Sequence, residues 1–243
     1  MKKKDSQKYY SEKLINLPGI GIDYDHCNIS NIKKLNVVKK SNKIIFLNLQ
    51  SLFKLLPQDD HIYLDILKKQ PNCCFWFIQG LRNSISSIFK ERISKLFQNH
   101  NLSFNEYSIF HPRCAKNEYL GLIEQSDIIL DSLNWSGGNT SLEAISLNKP
   151  IVTCPSEFMR GRHTYSILRK LNIEETIASS KKKYIEIAVR LAKDNDFRNL
   201  IINKIVKNKN KLFNDDKPIR FFEEMIRKKL LQLTKHKKTE AKF

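Results

Sequence analysis

Two consecutive glycines open the part of this chain whose residue types are best suited to chemistry. Gly137 and Gly138 are followed by Asn139 and Thr140, where an apolar helical pattern begins. Glycines permit a tight turn and a close backbone approach to a ligand. The free N–H groups of the helix start, aided by the helix dipole, then form an anion site. The sequence therefore indicates a phosphate-binding turn, to which Asn139 and Thr140 could also donate hydrogen bonds.

Glu143 extends this interpretation, because it lies one helical turn after Asn139 on the same face. Its carboxylate could accept hydrogen bonds from the hydroxyls of a ribose. The alternative is an ordinary glycine loop whose helix is capped by Ser136 or Asn139. Local chemistry alone does not separate the two interpretations.

Candidate ligand-binding side chains also follow two other apolar runs. Ser51 could bind a phosphate or cap a helix, and Lys54 could neutralise a diphosphate. Lys116 and Tyr119 could contact a ribose and a base ring. The alternative in both places is a strand-to-helix loop with a solvated lysine. Ligands of open parallel sheets bind beyond the carboxyl ends of the strands, so these groups act together only if the strands form one sheet.

The hydrophobic pattern predicts such a sheet. Short apolar runs, typical of buried parallel strands, alternate with amphipathic helical segments at the spacing of βαβ units. The predicted strands are 44–49, 74–78, 107–110, 127–130 and 151–153, and the predicted helices are 59–69, 85–97, 116–124, 138–147 and 158–171. We expect an α/β fold, a Rossmann-like parallel sheet with helices on both faces.

Beyond residue 180 the pattern changes to helices alone, the last beginning at Pro218. That helix has an apolar stripe, which comprises Phe222, Met225, Ile226, Leu230 and Leu233. We expect the stripe to pack into the core, and the alternative is that it docks on a partner. The predicted domains are an amino-terminal segment with a linker (1–42), the Rossmann-like domain (43–180) and a helical carboxyl-terminal extension with a basic tail (181–243).

The formal net charge of +18 raises a nucleic-acid-binding module as an alternative function. Residues 101–180 hold seven Lys/Arg and nine Asp/Glu, however, so the positive excess lies outside the glycine turn. We favour a solvated lysine-rich surface and expect no nucleic-acid partner.

Composition further predicts a cytoplasmic protein without metal. The five cysteines form no C-x-x-C pair, which favours reduced thiols, and the scattered histidines offer no zinc site. No D-x-D motif stands out, and we expect Asp215 and Asp216 to be solvated in a late polar turn. No apolar run approaches the roughly 20 residues of a membrane-spanning helix, so no membrane partner is expected.

Three blocks of the sequence resemble the carboxyl-terminal catalytic half of the O-linked N-acetylglucosamine transferase family, including its SPINDLY-like and bacterial tetratricopeptide-linked members. The blocks are Tyr10 to Gly19, Phe46 to Lys54, and Asp127 to Arg162. The last block is quite specific, and its Trp-Ser-Gly-Gly-Asn-Thr form looks like the bacterial variant. The first block is suggestive. The resemblance covers about Tyr10 to Ala178.

The resemblance implies a role for Lys54, which falls on the lysine that stabilises the leaving diphosphate. Lys54 is therefore the candidate catalytic residue. Gly138, Asn139 and Thr140 fall on a phosphate-contacting trio at the helix start, and Glu143 falls on an aspartate that binds ribose.

The remaining donor contacts follow from the same resemblance. Ser51 falls where the family has a donor-contacting glutamine. Lys116 and Tyr119 fall on uridine contacts, where the better-known members have lysine and histidine. Ser51, Tyr119, Gly138 and Asn139 depart from the best-known animal pattern.

As a whole, the resemblance implies the carboxyl-terminal half of a GT-B glycosyltransferase. Such a half holds a UDP-sugar, for example UDP-N-acetylglucosamine, for inverting transfer to a hydroxyl acceptor that we expect to be protein, without a cofactor or an obligatory metal. A GT-B enzyme has two Rossmann-like halves, so we expect residues 1–42 to be the tail end of a missing amino-terminal half. A partner chain could supply that half.

Two further alternatives stay open. The chain could be a non-catalytic nucleotide-sugar-binding remnant of a longer enzyme. It could also be a nucleotide-sugar epimerase, which needs acidic and histidine groups around the sugar; only Glu157 and His163 lie near the predicted cleft.

Overall fold

The computed structural model describes residues 6–27, 31–35 and 43–240, the last six as backbone. Much of the predicted linker, at 28–30 and 36–42, lies outside the described residues, as do both chain ends. The described part of the chain contains a five-stranded sheet, with all strands parallel. Its strands are β1 (Ile44–Asn48), β2 (Cys73–Ile78), β3 (Ser108–His111), β4 (Ile128–Leu130) and β5 (Ile151–Val152).

The strand order is β3-β2-β1-β4-β5, with Phe46 of β1 opposite Phe75 on one side and Ile128 on the other. The strands are continuous apolar runs because both faces of the sheet are covered; Phe46, Phe75 and Ile128 are all fully buried. The predicted parallel α/β sheet is confirmed.

Five helices connect and follow these strands: α1 (His61–Lys69), α2 (Asn83–Gln98), α3 (Lys116–Gln125), α4 (Asn139–Ser146) and α5 (His163–Lys170). The chain winds from β1 outward to β3, then returns and continues from β4 to β5. Because parallel crossovers are right-handed, this change of direction puts helices on both faces and leaves a crevice between β1 and β4.

The helix predicted over 158–171 begins later, at His163. A short 3-10 turn, Met159–Gly161, precedes it instead. The turn folds back on Ser156, whose N–H donates to the Gly161 carbonyl at 3.1 Å. A side chain at position 161 would overlap Ser156, so glycine is required there.

Three more helices follow: α6 (Lys181–Lys193), α7 (Asn195–Asn208) and α8 (Lys217–Glu240). Helix α6 packs on α1 and on β4. The Ser180 and Asp194 side chains cap α6 and α7 by accepting hydrogen bonds from the N–H groups of Lys183 and Phe197.

The expected core packing of the α8 stripe is wrong for most of its residues. Met225 is half-buried, but Phe222, Ile226, Leu230 and Leu233 are between 40% and 61% exposed within the described part of the chain. An amphipathic pattern identifies an apolar helix face, whereas the structure that covers this face depends on tertiary arrangement.

Candidate functional site

Two loops meet where the winding direction of the sheet changes. One follows β1 and carries Gln50, Ser51 and Lys54; the other follows β4 and leads through Gly137 into α4. A cavity of about 450 Å³ lies beside them, and the carboxyl ends of β2 and β3 complete its wall. We call it the crevice cavity. It contains six of the predicted site residues: Ser51, Lys116, Tyr119, Asn139, Thr140 and Glu143.

The buried carboxylate of Asp131 holds the loop after β4 in shape. It accepts hydrogen bonds from the Gly137 N–H at 2.8 Å, the Ser136 hydroxyl at 2.8 Å and the Thr153 hydroxyl at 2.7 Å. Burial raises the pKa of Asp131, while these hydrogen bonds oppose the shift. A carboxylate surrounded by donors thus fixes the turn that begins α4.

Helix α5 contributes Thr164 to the same turn. Its N–H donates to the Ser136 hydroxyl oxygen at 2.8 Å, and its hydroxyl donates to the Gly137 carbonyl at 3.1 Å. A Cβ at Gly137 would overlap the Ser141 hydroxyl and lie 2.7 Å from the Thr140 hydroxyl. Position 137 therefore needs glycine because neighbouring side chains fill the space around it.

Gln50 connects the two loops. Its side-chain amide donates to the Thr140 hydroxyl at 2.7 Å, and its carbonyl oxygen accepts from Lys54 Nζ at 3.0 Å. The Lys54 ammonium also lies 6.0 Å from the Trp135 ring centroid. A positive charge is thereby held close to the first turn of α4, where the unpaired N–H groups of a helix favour an anion.

Glu143 lies deep in the crevice cavity and is only 4% exposed. Its carboxylate forms an ion pair with Lys116 and accepts a hydrogen bond of 3.4 Å from the Tyr24 hydroxyl. Tyr119 is beside this pair, with the Lys116 ammonium 5.5 Å from its ring centroid. Burial raises the pKa of Tyr119, whose hydroxyl has no hydrogen-bond partner among the described residues.

A larger cavity, of about 860 Å³, lies against the start of α4 and is lined on its far side by residues 14–22. We call it the amino-terminal cavity. Gly138 and Asn139 border it, and so does His163 from α5. Burial lowers the pKa of His163, and the positive charge of Lys54 lowers it further.

Three predicted residues lie outside the lining of the crevice cavity. Gly137 is buried within the loop after β4, Gly138 borders the amino-terminal cavity, and Lys54 is linked to the α4 turn through Gln50. The sequence analysis assigned no role to Gln50 or Asp131. Asp131 comes directly after β4 and Gln50 two residues after β1, so both lie at the carboxyl edge of the sheet, where ligands bind. Tyr24 gave no local signal, because its contact with Glu143 joins residues 119 positions apart.

Asp215 differs from the sequence expectation of a solvated turn. Its side chain is largely buried in an ion pair with Lys170, and the hydrogen bond from Lys170 lowers the pKa of Asp215. The described residues hold no group of three or more His, Cys, Asp or Glu side chains placed to bind a metal ion. Nor does any helix in the described ranges have the length and apolarity needed to cross a membrane.

The chain is similar in sequence and fold to known proteins of one glycosyltransferase family. The sequence profile of Glycosyl transferase family 41 matches residues 26–219. A UDP-N-acetylglucosamine--peptide N-acetylglucosaminyltransferase of Caenorhabditis elegans is 26% identical over 153 residues, which are 63% of this chain and 13% of that protein. A probable enzyme of the same name from Arabidopsis thaliana is 28% identical over 192 residues, 75% of this chain and 19% of that protein.

Among solved structures, an O-GlcNAc transferase variant from Thermobaculum terrenum superimposes with a TM-score of 0.75 at 20% identity. The match covers 92% of this chain and 42% of that one. The fold is thus that of the Rossmann-like α/β halves of GT-B glycosyltransferases. The chain belongs to glycosyl transferase family 41, which confirms the family resemblance found in the sequence. It spans less than a fifth of the length of the two curated relatives described above.

Proposed function

We propose that the chain is the donor-binding half of a UDP-sugar-dependent glycosyltransferase, with UDP-N-acetylglucosamine as the representative donor. The observation that carries the proposal is the arrangement of three groups around one helix start: the first turn of α4 itself, the Lys54 ammonium that Gln50 holds beside it, and the Glu143 carboxylate, which lines the crevice cavity. The first two suit a diphosphate, and the third suits the ribose hydroxyls. Membership of family 41 and the names of the relatives support the same function.

In this proposal the diphosphate lies at the first turn of α4. The N–H groups there, with the side chains of Asn139 and Thr140, donate to its oxygens, and Gly137 keeps the turn tight. Lys54 stabilises the negative charge that develops on the departing diphosphate, so it is the proposed catalytic residue. Ser51 lies in the cavity lining as an additional donor contact.

The nucleoside lies deeper in the crevice cavity. Glu143 is already paired with Lys116, so nucleotide binding must exchange part of this ion pair for hydrogen bonds from the ribose. Lys116 and Tyr119 then contact the uridine. The Tyr119 hydroxyl, which has no hydrogen-bond partner in the described part of the chain, supports this assignment, because a buried hydroxyl without a partner is costly and a ligand would satisfy it.

The reaction we propose is inverting transfer of the sugar to a hydroxyl acceptor, a protein, as the relatives' names suggest. Neither a cofactor nor a metal is required in the proposal, since Lys54 and the helix start carry out the charge stabilisation. We propose a cytoplasmic location, which is supported by the five cysteines because no disulfide joins any of them in the described part of the chain.

We further propose that a partner chain supplies the second GT-B half for acceptor recognition. Efficient glycosylation of protein acceptors by the purified chain alone would contradict the need for a partner. A non-catalytic remnant is the second candidate, and it would bind UDP without turning over any donor.

Calorimetry with UDP and UMP tests the donor site. We expect UDP to bind more tightly than UMP, and Lys54→Ala to weaken UDP binding about tenfold or more, since one hydrogen bond to a charged group contributes about 1.5–3 kcal/mol. Lys68→Ala, at an exposed position of α1, is the matched control and should bind UDP normally. No UDP binding at millimolar concentration, or salt-sensitive DNA binding in its place, would refute the donor site.

A further inference from the structure

The amino-terminal cavity has no role in the donor site proposed above. Residues 14–22 form one wall, and the first turns of α4 and α5 form the other. Most of the lining is apolar, as in small-molecule and peptide pockets that use few polar groups. Polar side chains in the lining include Gln7, Asn16, Asn139 and His163.

The two cavities share the beginning of α4. Asn139 lines both of them, so a donor phosphate at this turn would lie next to the amino-terminal cavity. Gly138 lies between Asn139 and the buried Gly137, and a Cβ built on it would lie 3.7 Å from His163 Nδ1. A nitrogen of the His163 ring therefore faces the backbone of the proposed diphosphate site.

His163 is suited to take a proton at neutral pH. Burial and the Lys54 charge lower its pKa from the ordinary value of 6.5, which favours the neutral imidazole. The charged group that lowers the His163 pKa from a neighbouring element is Lys54, on the loop after β1. Among the described residues that line the cavity, His163 is the one with a titratable side chain. A neutral imidazole next to a site of developing charge has the properties of a general base.

We propose that the amino-terminal cavity receives the acceptor hydroxyl and that His163 is the base that deprotonates it. This inference rests on the proposed donor function. It places the base within this chain, so acceptor activation does not depend on a second half.

The imidazole nitrogen takes the hydroxyl proton while the acceptor oxygen forms a bond to the anomeric carbon of the sugar. The bond between that carbon and the diphosphate oxygen breaks, and its electron pair leaves with UDP, next to Lys54 and the start of α4. The imidazolium then returns its proton to water.

Water in the cavity can replace the acceptor, so hydrolysis of UDP-N-acetylglucosamine to UDP and free sugar tests the inference without a known acceptor. The unmodified chain should hydrolyse the donor at a rate that is constant above the His163 pKa and falls as the pH drops through it, below 6.5. His163→Gln should be about a hundredfold slower or more, the contribution expected of a general base, and should lack the acidic limb. His100→Gln, at an exposed position, is the control.

Chemical rescue separates a base from a structural histidine. In His163→Ala, added imidazole should enter the cavity and restore hydrolysis, with a dependence on the concentration of neutral imidazole. Calorimetry with UDP checks each variant, and unchanged UDP affinity shows that the donor site is intact.

The failures can be told apart. If the unmodified chain binds no UDP, the proposed function falls and this inference falls with it. If UDP binds and the donor is hydrolysed, but His163→Gln keeps the rate and the acidic limb or imidazole fails to rescue His163→Ala, only the inference is overturned. If UDP binds but the chain hydrolyses no donor, the inference is overturned and the non-catalytic remnant is favoured.

Discussion

Replacing Gly137 by alanine is the smallest change that should disable the donor site. The added methyl would overlap the Ser141 hydroxyl and lie 2.7 Å from the Thr140 hydroxyl and 3.0 Å from Gln50 Nε2. Ser141 is buried and its hydroxyl is hydrogen-bonded to that of Thr164, and Thr140 is held by Gln50, so neither hydroxyl can move without losing a hydrogen bond. The substitution must shift the first turn of α4 or break the link between Gln50 and Thr140.

The size of the effect follows from these contacts. Overpacking of this kind costs about 1–3 kcal/mol of folding stability. Displacing Thr140 also removes a donor to a charged phosphate, which contributes about 1.5–3 kcal/mol to binding. Because 1.4 kcal/mol corresponds to a factor of ten, UDP affinity should fall about ten- to a hundredfold.

Gly138→Ala is the matched comparison, since its nearest neighbour would be His163 Nδ1 at an ordinary contact distance of 3.7 Å. Calorimetry should show nearly normal UDP affinity for Gly138→Ala, whereas its hydrolysis of the donor should slow because the methyl faces His163. If Gly137→Ala binds UDP as the unmodified chain does, or if Gly138→Ala loses as much affinity, the role assigned to the α4 turn is wrong.

Two further predictions concern the buried carboxylates of the site. Asp131→Asn replaces an oxygen that accepts hydrogen bonds by an NH₂ group, so urea denaturation should show that the free energy of unfolding falls by about 1–3 kcal/mol. The control is Asp23→Asn, at an exposed position, which should leave the free energy of unfolding unchanged. Equal stability of the two variants would contradict the hydrogen bonds described for Asp131. Glu143→Leu should remove the preference for UDP over 2′-deoxyuridine diphosphate measured by calorimetry, and an unchanged preference would exclude Glu143 as the ribose ligand.

The fold was predictable because its signals are local. Each strand is a continuous apolar run, and each helix has an apolar face, so element types follow from neighbouring residues. The exceptions depend on distant contacts. The start of α5 is set by the loop that folds back on Ser156, and the exposure of the α8 stripe depends on which structure packs against that helix.

The candidate site is local only in part. Gly137, Asn139 and Glu143 share one turn and one helix, so their spacing raises a phosphate and ribose site, which local chemistry alone does not separate from an ordinary capped glycine loop. The bonds that fix this site join residues far apart in sequence. Gln50 and Thr140 are 90 positions apart, and no local pattern connects them.

A crystal structure of the chain with UDP bound would locate the nucleotide. We predict the diphosphate at the N–H groups of Asn139 and Thr140 with Lys54 next to it, and the ribose hydroxyls on Glu143, whose ion pair with Lys116 is at least partly opened. UDP bound elsewhere, or bound with the pair between Glu143 and Lys116 intact and no phosphate at the start of α4, would contradict it.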